Sequence, residues 1–257
     1  MKNKYYSIIF LSLISGSIFS QSDSLTVAPS VEVFTDEDKS LPDPKATVEL
    51  EIRAAFPTGE FKEFYSKPGM GGVGLTTLFP LGKKNPLDIG FGLGYYFMSR
   101  AEETYEYNAP GVEDYDINSK VSGSMISMHL TARLYPLKSI NFPIQPYIEG
   151  LAGGRLFVVE QEVSTYLYSV DSELPKETNS NTTSSWSYGF GGGLKIMISR
   201  NEMLFLNLKV AQLYGTSTKN MDPSSVVLYD DGTYGYDEFK SRTDVLRFSF
   251  GLHIMIN

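Results

Sequence analysis

From residue 47 onward, apolar and polar residues alternate with a period of two in one stretch of the chain after another. The first stretch, Val48 to Ala54, places its apolar side chains on one face and Glu49, Glu51 and Arg53 on the other. The last stretch, Leu246 to Ile256, repeats the pattern. Successive side chains of a strand point to opposite faces, and none of the stretches has the 3.6-residue period of a helix. The sequence therefore predicts an all-β fold.

The number of stretches and the lengths of their connections indicate how the strands are arranged. Eight stretches alternate, at about 48–54, 70–79, 87–99, 122–135, 144–162, 185–198, 203–214 and 244–256. Short links at 82–86, 136–143 and 199–202 alternate along the chain with longer polar segments at 57–69, 100–121, 163–184 and 215–243. An even strand number with short turns at one end and long loops at the other is typical of outer-membrane barrels. We expect residues 47–257 to form an eight-stranded antiparallel transmembrane β-barrel.

Alternation alone does not decide which face of the barrel points outward, because a soluble barrel with an apolar interior has the same period. Two features favour an apolar exterior. The mixed face is rich in glycine, which suits the narrow interior of an eight-stranded barrel. Aromatic residues lie near the ends of the apolar face, where a membrane-interface girdle would place them: Phe56, Phe79, Tyr95, Phe97, Trp186, Tyr188 and Tyr214.

Charged residues of both signs occupy the interiors of the strands on the mixed face. An unpaired charge inside a narrow lumen costs several kcal/mol, so we expect these residues to form an internal network of ion pairs and hydrogen bonds. The apolar faces contain no Arg or Lys. The residues expected in the lumen network are Glu49, Glu51, Arg53, Asp88, Arg133, Glu149, Arg155, Lys195, Lys209 and Arg247.

Composition excludes several classes of function. The net charge of −8 argues against a nucleic-acid partner, which needs a basic surface. The absence of cysteine excludes a thiolate metal site, an iron–sulfur cluster, a cysteine nucleophile and a lipid-anchored N-terminal cysteine. We expect no cofactor and no metal site. Acidic, tyrosine-rich loops near 102–116 and 230–238 offer carboxylates that suit Ca²⁺, but we favour solvated loops.

The N-terminal region has the pattern of a targeting segment. Lys2 and Lys4 precede an apolar run from Tyr5 to Phe19, which is typical of a secretory signal peptide over residues 1–20. Residues 21–46 combine prolines with a charge cluster and predict a flexible periplasmic leader. No later segment is apolar for long enough to cross a membrane as a helix.

Three glycine-aromatic segments carry a family resemblance: Gly90 to Tyr96, Pro146 to Gly150, and Tyr188 to Gly193. With the eight stretches, they resemble the small outer-membrane β-barrel proteins related to the OmpA/OmpX transmembrane domain, over about residues 47–257. The resemblance implies the outer membrane of a Gram-negative cell, contact with its lipid and lipopolysaccharide, insertion by the barrel-assembly machinery, and no enzymatic activity. Other envelope proteins are a further class of partner.

Signals for chemistry are sparse. The Gly69 to Gly74 segment matches G-x-G-x-x-G, but no strand–turn–helix unit surrounds it. His129, with Ser127 and Glu149, offers a hydrolase-like set, which we interpret as polar filling of the lumen. The sequence thus favours a non-enzymatic structural or interaction role: membrane integrity, adhesion, or a subunit of an envelope complex. A narrow, porin-like channel for small solutes and, after it, a lipid-modifying enzyme are the alternatives.

Overall fold

The structure of the chain is a computed structural model. It describes residues 44–65, 69–82, 85–107, 115–136, 143–167, 172–173, 176–199, 204–222, 225, 227–228, 234–235 and 237–256. The predicted signal peptide and residues 21–43 of the predicted leader lie outside this part of the chain, as do 108–114, 230–233 and 236 of the acidic loops. Residue 46, the last of the predicted leader, already begins the first strand.

Eight long strands correspond one for one to the eight alternating stretches. They are β1 (Ala46–Pro57), β2 (Met70–Pro80), β3 (Leu87–Tyr107), β4 (Tyr115–Leu134), β5 (Ile144–Leu167), β7 (Glu177–Ser199), β8 (Leu204–Gly215) and β13 (Val245–Ile256). The short elements are a helix, α1 (Glu60–Phe64), and the strands β6 (Ser172–Glu173), β9 (Ser217–Met221), β10 (Val227–Leu228), β11 (Tyr234–Gly235) and β12 (Glu238–Arg242).

The long strands form an uninterrupted antiparallel ring. Each one pairs with the next along the chain, and β4 pairs with β5 over twenty residues from Tyr115 to Leu134. The first and last long strands close the ring, since β1 pairs with β13 from Ala46↔Ile256 to Pro57↔Val245. The predicted eight-stranded antiparallel barrel is confirmed. In the described part of the chain no helix has the length and apolar character to cross a membrane, a result that does not bear on strands.

The barrel is apolar outside and polar inside. Along β13, the outward residues are Leu246, Phe248, Phe250, Leu252, Ile254 and Ile256, while inward-facing Arg247, Ser249 and His253 are buried. Six of the seven predicted girdle aromatics are exposed on the exterior, and Tyr214 packs there against Tyr188 at 5.7 Å. At about 3.4 Å per residue and a tilt near 45°, a twelve-residue strand such as β13 spans about 29 Å. This height matches the apolar band of a membrane barrel.

Inward-facing glycines allow the narrow barrel to form, and β5 offers a test. A Cβ at Gly153 would lie 1.9 Å from the carbonyl oxygen of Met128 on β4, whereas a Cβ at outward-facing Gly150 would meet no atom within 4 Å. We expect Gly153→Ala to lower the free energy of unfolding by about 1–3 kcal/mol, because the backbone must move to admit the methyl group. Gly150→Ala is the matched control and should leave stability unchanged or slightly higher. Urea unfolding of both variants in lipid vesicles checks this, and equal midpoints would contradict it.

Much of the predicted loops at 100–121 and 163–184 is strand, which corrects the expected boundaries. Strand β3 continues past the predicted end at 99 to Tyr107, β4 begins at Tyr115, β5 reaches Leu167, and β7 begins at Glu177. A register shift between Phe97 and Ser99 changes which residues of β3 face outward, so the alternation breaks although the strand continues. The helix α1 was also not predicted, because a five-residue helix is too short to show a period.

Candidate functional site

The candidate site is the lumen of the barrel, where charged side chains from several strands converge. Glu49 on β1 is its centre. Both oxygens of Glu49 accept hydrogen bonds from Arg133 on β4, His253 Nδ1 on β13 donates to Glu49 Oε1 at 2.7 Å, and Lys209 Nζ on β8 lies 3.7 Å from Oε2. Four strands of the ring thus contribute to one buried carboxylate.

A second carboxylate of β1, Glu51, lies beside the first. Lys209 Nζ is 2.6 Å from Glu51 Oε1, and Arg53 Nε donates to Glu51 Oε2 at 2.7 Å. Arg53 also donates to the Leu93 carbonyl on β3 at 2.9 Å and to Thr76 Oγ1 on β2 at 3.2 Å. Because the ammonium of Lys209 contacts both glutamates, it offsets the repulsion between them.

The third carboxylate, Glu149 on β5, connects the cluster to the opposite wall. Arg133 Nη2 donates to Glu149 Oε2 at 3.0 Å, Arg247 Nη2 lies 3.5 Å from Oε1, and Lys209 Nζ lies 3.7 Å from Oε1. The Arg133 guanidinium also lies 4.1 Å from the centre of the Tyr147 ring. Three carboxylates and four cationic side chains therefore form one connected network, here called the central cluster: Glu49, Glu51, Glu149, Arg53, Arg133, Lys209 and Arg247.

The other three of the ten expected lumen residues are also buried in the lumen and make contacts of a different kind. Asp88 lies directly opposite Arg133 in the β3–β4 register. Lys195 Nζ lies over the rings of Tyr135 and Phe205, at 4.8 and 4.7 Å from their centres. Arg155 donates through Nη1 to the carbonyl oxygen of Thr243.

The hydroxyl group that contacts His129 is not the one that the sequence suggested. His129 Nε2 lies 3.1 Å from Ser187 Oγ on β7, whereas Ser127 Oγ has no hydrogen-bond partner among the described residues. Ser187 and His129 are both almost fully buried. In the described part of the chain, no carboxylate forms a hydrogen bond or ion pair with His129, whereas the histidine of a hydrolase triad is oriented by a carboxylate.

Sequence reasoning also missed polar residues that complete the network. Tyr147 donates to Asn207 Oδ1 at 2.7 Å, and Arg133 donates to Tyr135 Oη at 3.4 Å. The alternation of each strand places these side chains inward, so the sequence did contain a signal for their position in the lumen. Which strand lies opposite depends on barrel register, and alternation carries no information about that.

Beyond the central cluster, the end of the barrel with the long loops is closed by apolar side chains. Phe61 on α1 packs against Phe157 on β5 at 6.0 Å and against Tyr65 at 5.6 Å. These rings belong to a buried cluster, here called the apolar plug: Ala55, Phe61, Tyr65, Met70, Tyr96, Met98, Met125, Leu151, Phe157, Ala211, Leu213 and Val245. Glu60 fixes the start of α1 by accepting a hydrogen bond from Arg242 N at 3.1 Å.

The hydroxyl of Tyr65 anchors the plug, and a conservative change tests this. Tyr65 Oη donates to the Met98 carbonyl at 2.6 Å, and burial raises the pKa of this phenol. The contribution of this hydrogen bond to stability should be complete below the phenol's unfolded-state pKa of about 10. It should decline as the pH rises above that value. We expect Tyr65→Phe to destabilise the plug by about 1 kcal/mol, seen as faster amide exchange in α1. Tyr105→Phe, which removes an exposed bond to Glu103, is the control, and equal exchange in both variants would refute the anchor.

Four strands project past the barrel at the same end. Strands β3, β4, β5 and β7 contain 20 to 24 residues each, whereas β1, β2, β8 and β13 contain 11 or 12. The inner face of the projection is buried and partly apolar, as at Val121 and Val159. On its outer face Lys120 lies 3.1 Å from Glu102, and a hydrogen bond from Lys120 lowers the pKa of that carboxyl. The projection offers a polar surface on one side of the barrel mouth.

Comparisons with solved structures find matches to proteins of bacterial outer membranes. Neisserial surface protein A covers 82% of this chain and 97% of its own, with 13% identity and a TM-score of 0.36. A major outer membrane protein from Thermus thermophilus covers 81% and 98%, with 14% identity and a TM-score of 0.44. The N-terminal β-barrel domain of Pseudomonas aeruginosa OprF covers 82% and 98%, with 10% identity and a TM-score of 0.32.

These matches belong to the class of protein that the sequence resembles, but at such identities and TM-scores they carry no information about function. No protein-family model and no curated protein sequence matches the chain. Within the described residues, no group of three or more His, Asp or Glu is arranged to hold a metal ion.

Proposed function

We propose that the chain is an outer-membrane β-barrel of a Gram-negative cell with a structural or interaction role. The observation that carries this proposal is the inverted distribution of polarity. Large apolar side chains, including Ile52 and Phe250, are exposed around the ring, while ten charged side chains of the long strands are buried inside it. A water-soluble barrel has the opposite arrangement, since exposed apolar area of this extent leads to association. Lipid and the acyl chains of lipopolysaccharide are the partners that suit such an exterior.

Cell fractionation tests the location. The full-length chain, expressed in a Gram-negative host, is expected to sediment with the outer membrane and to need detergent for extraction. Purified protein should also migrate differently on a gel before and after heating, because a folded barrel resists the denaturing detergent. Recovery of the protein in a soluble fraction without detergent would refute the membrane assignment.

The closed lumen favours a structural or interaction role over transport. The central cluster fills the middle of the barrel, and the apolar plug closes the end with the long loops. An eight-stranded barrel is only wide enough for its side chains to fill, so conduction would require both clusters to rearrange. We expect no conductance in planar bilayers, and steady ohmic steps would support the narrow-channel alternative instead.

The environment of His129 supports a non-enzymatic role. Its neighbour Ser187 is buried, and a substrate would have to pass the apolar plug or the central cluster to reach it. We expect the lipid A mass spectrum to be the same in cells with and without the gene, whereas a mass change would favour the lipid-modifying alternative. The projecting strands and long loops are then the surface for adhesion or for an envelope partner. Insertion by the barrel-assembly machinery is part of the same proposal.

A further inference from the structure

A hairpin of the short strands β9 and β12 extends the barrel wall at the end with the long loops. Strand β9 begins at Ser217, two residues after β8 ends, and β12 ends at Arg242, three residues before β13 begins. One face of the hairpin is buried and carries Asn220 and Ser241, whose side chains share a hydrogen bond of 3.2 Å. The residues that alternate with these two therefore point outward, away from the barrel mouth.

The outward face of the hairpin is cationic. Lys219 and Lys240 lie directly opposite each other in the register, and Arg242 follows Lys240 by two residues on the same face. All three side chains are exposed. Like charges directly opposite each other on neighbouring strands repel and destabilise the pair. A chain with a net charge of −8 thus places three cations on one small surface, here called the basic hairpin face: Lys219, Lys240 and Arg242.

The carboxylates nearby leave Lys240 without a partner. Glu238, on the same face, forms an ion pair with the lysine opposite Lys240. Asp244 lies 3.7 Å from Arg242 Nε, and Glu60 of α1 accepts a hydrogen bond from the backbone N–H of Arg242 at 3.1 Å. Within the described residues, the ammonium of Lys240 has no hydrogen bond and no ion pair. The basic hairpin face therefore presents a cation that is open to an external anion.

The basic hairpin face lies just beyond the aromatic girdle. Thr216 N donates to the Trp186 carbonyl at 2.9 Å, and Thr216 Oγ1 accepts a hydrogen bond from Trp186 N at 3.1 Å. Lys219 follows Thr216 by three residues, which at about 3.4 Å per residue and a tilt near 45° places it about 7 Å farther from the membrane centre than Trp186. Because tryptophan marks the membrane–water interface, these cations lie at the height of lipid headgroups.

The anion that fits this height is a phosphate of a lipid headgroup. The long loops of bacterial outer-membrane barrels face the cell exterior, so the basic hairpin face borders the outer leaflet. Lipopolysaccharide is the main lipid of that leaflet, and its headgroup carries phosphates on a sugar backbone. Lysine binds phosphate as a point charge, and arginine binds it through paired N–H donors.

Farther along the same strands, the barrel exterior has an apolar groove of about 540 Å³. Val210 of β8 and Phe248 of β13 are paired in register and line this groove together with Gly192 of β7. Phe248 follows Arg242 by six residues, so it lies about 14 Å closer to the membrane centre and, because of the tilt, about as far to one side. This offset suits a lipid whose several acyl chains cover a wide area, as those of lipopolysaccharide do, rather than a two-chain phospholipid.

We propose that the basic hairpin face and the apolar groove form one binding site for lipopolysaccharide. A headgroup phosphate binds between Lys219 and Lys240, and an acyl chain of the same molecule lies in the groove. The site rests on the proposed outer-membrane location. It goes beyond general contact with lipid, because it assigns one side of the barrel, at β8 and β13, to one class of lipid.

Energy transfer from Trp186 tests the site, because this residue is the single tryptophan of the chain and is bonded to Thr216 beside the hairpin. The full-length protein is placed in phosphatidylcholine vesicles that contain a rising fraction of dansyl-labelled lipopolysaccharide. We expect half-maximal transfer at a fraction about tenfold lower, or more, than with the same lipopolysaccharide after removal of its phosphates. Equal fractions would overturn the proposal, as would equally strong transfer to labelled phosphatidylglycerol, an anionic lipid with two chains.

Paired variants show whether the position of the charges matters. Lys219→Gln combined with Lys240→Gln should raise the required fraction about thirty-fold, because each lysine near an anionic lipid surface contributes about a factor of five. Arg100→Gln combined with Lys120→Gln is the matched control, since it removes two charges from β3 and β4 across the ring and should bind like the unaltered protein. An equal loss in both double variants would overturn the site.

Cell fractionation separates this proposal from the proposed location. Both double variants alter exposed loop-end residues and should still sediment with the outer membrane. If they do so but bind lipopolysaccharide as the unaltered protein does, the binding site is refuted and the location stands. If the unaltered protein is itself recovered in a soluble fraction, the location fails, and the binding site fails with it.

Discussion

Replacing Arg133 with methionine is expected to lower the free energy of unfolding by about 3–5 kcal/mol. Arg133 is fully buried, donates to both oxygens of Glu49 and to Glu149, and lies over the Tyr147 ring. Methionine fills a similar volume but removes the charge. Glu49 then keeps its contact with His253 and the longer one with Lys209, and Glu149 keeps only the longer contacts to Lys209 and Arg247. The loss is large because the uncompensated carboxylates remain buried.

The measurement is urea unfolding in lipid vesicles followed by tryptophan fluorescence. Trp186 is the single tryptophan of the chain and is 74% exposed on the barrel exterior, so its emission reports the loss of the lipid environment. Arg242→Met removes a half-exposed ion pair with Asp244 and should cost less than about 1 kcal/mol.

A double variant separates charge from packing in this prediction. Adding Glu49→Gln to Arg133→Met removes one of the two stranded charges and should recover part of the loss. If the free energy of unfolding of Arg133→Met is within about 1 kcal/mol of that of the unaltered protein, the ion pairs of Arg133 contribute less to stability than predicted. If Glu49→Gln instead adds to the loss, the contacts of Glu49 with His253 and Lys209 outweigh the cost of its buried charge.

Placing an arginine on the exterior at mid-height is expected to destabilise the barrel by about 2–4 kcal/mol. Ile52 lies near the middle of β1, is 68% exposed, and is flanked in register by Phe250 and Val73, which are also exposed. In lipid, Ile52→Arg brings a charge to the centre of the acyl region. In water, the same change at an exposed position would alter stability by no more than about 0.5 kcal/mol.

Ile52→Arg therefore discriminates the two possible surroundings of the barrel exterior. Thr178→Arg is the matched control, because Thr178 is exposed on the projecting part of β7 and lies opposite Glu162 in register. It should unfold like the unaltered protein. A neutral effect of Ile52→Arg in vesicles would remove the main physical support for a membrane-spanning barrel.

Much of the fold could be predicted from the alternation of side chains. The features that could not be predicted have physical causes. The eight strands and the inward position of residues such as Glu49 and Arg133 follow from a period of two. Their antiparallel order follows from the short links between them. The continuation of β3 beyond Ser99 does not, because the register shift there exchanges the two faces. The start of β7 at Glu177 is polar on both faces, so it shows no alternation.

The candidate site was predictable in composition but not in pairing. The ten charged residues that the sequence placed in the lumen are all buried in the structure, but the sequence could not show that His253 contacts Glu49, a residue 204 positions away. Nor could it show that Ser187, rather than Ser127, lies beside His129. These contacts depend on how far each strand is staggered around the ring, a quantity set by all the strands together.

The position of Glu49 on the first strand has a consequence for assembly. Its partners come from β4, β8 and β13, so its charge is fully matched only when the last strand has joined the first. A sheet that lacks β4, β8 or β13 leaves this carboxylate short of at least one partner, and a chain that stops before β13 leaves two bare edges as well. The interior electrostatics thus stabilise the closed barrel more than any partly formed sheet. Barrel closure should therefore be cooperative, and partly formed barrels should be poorly populated.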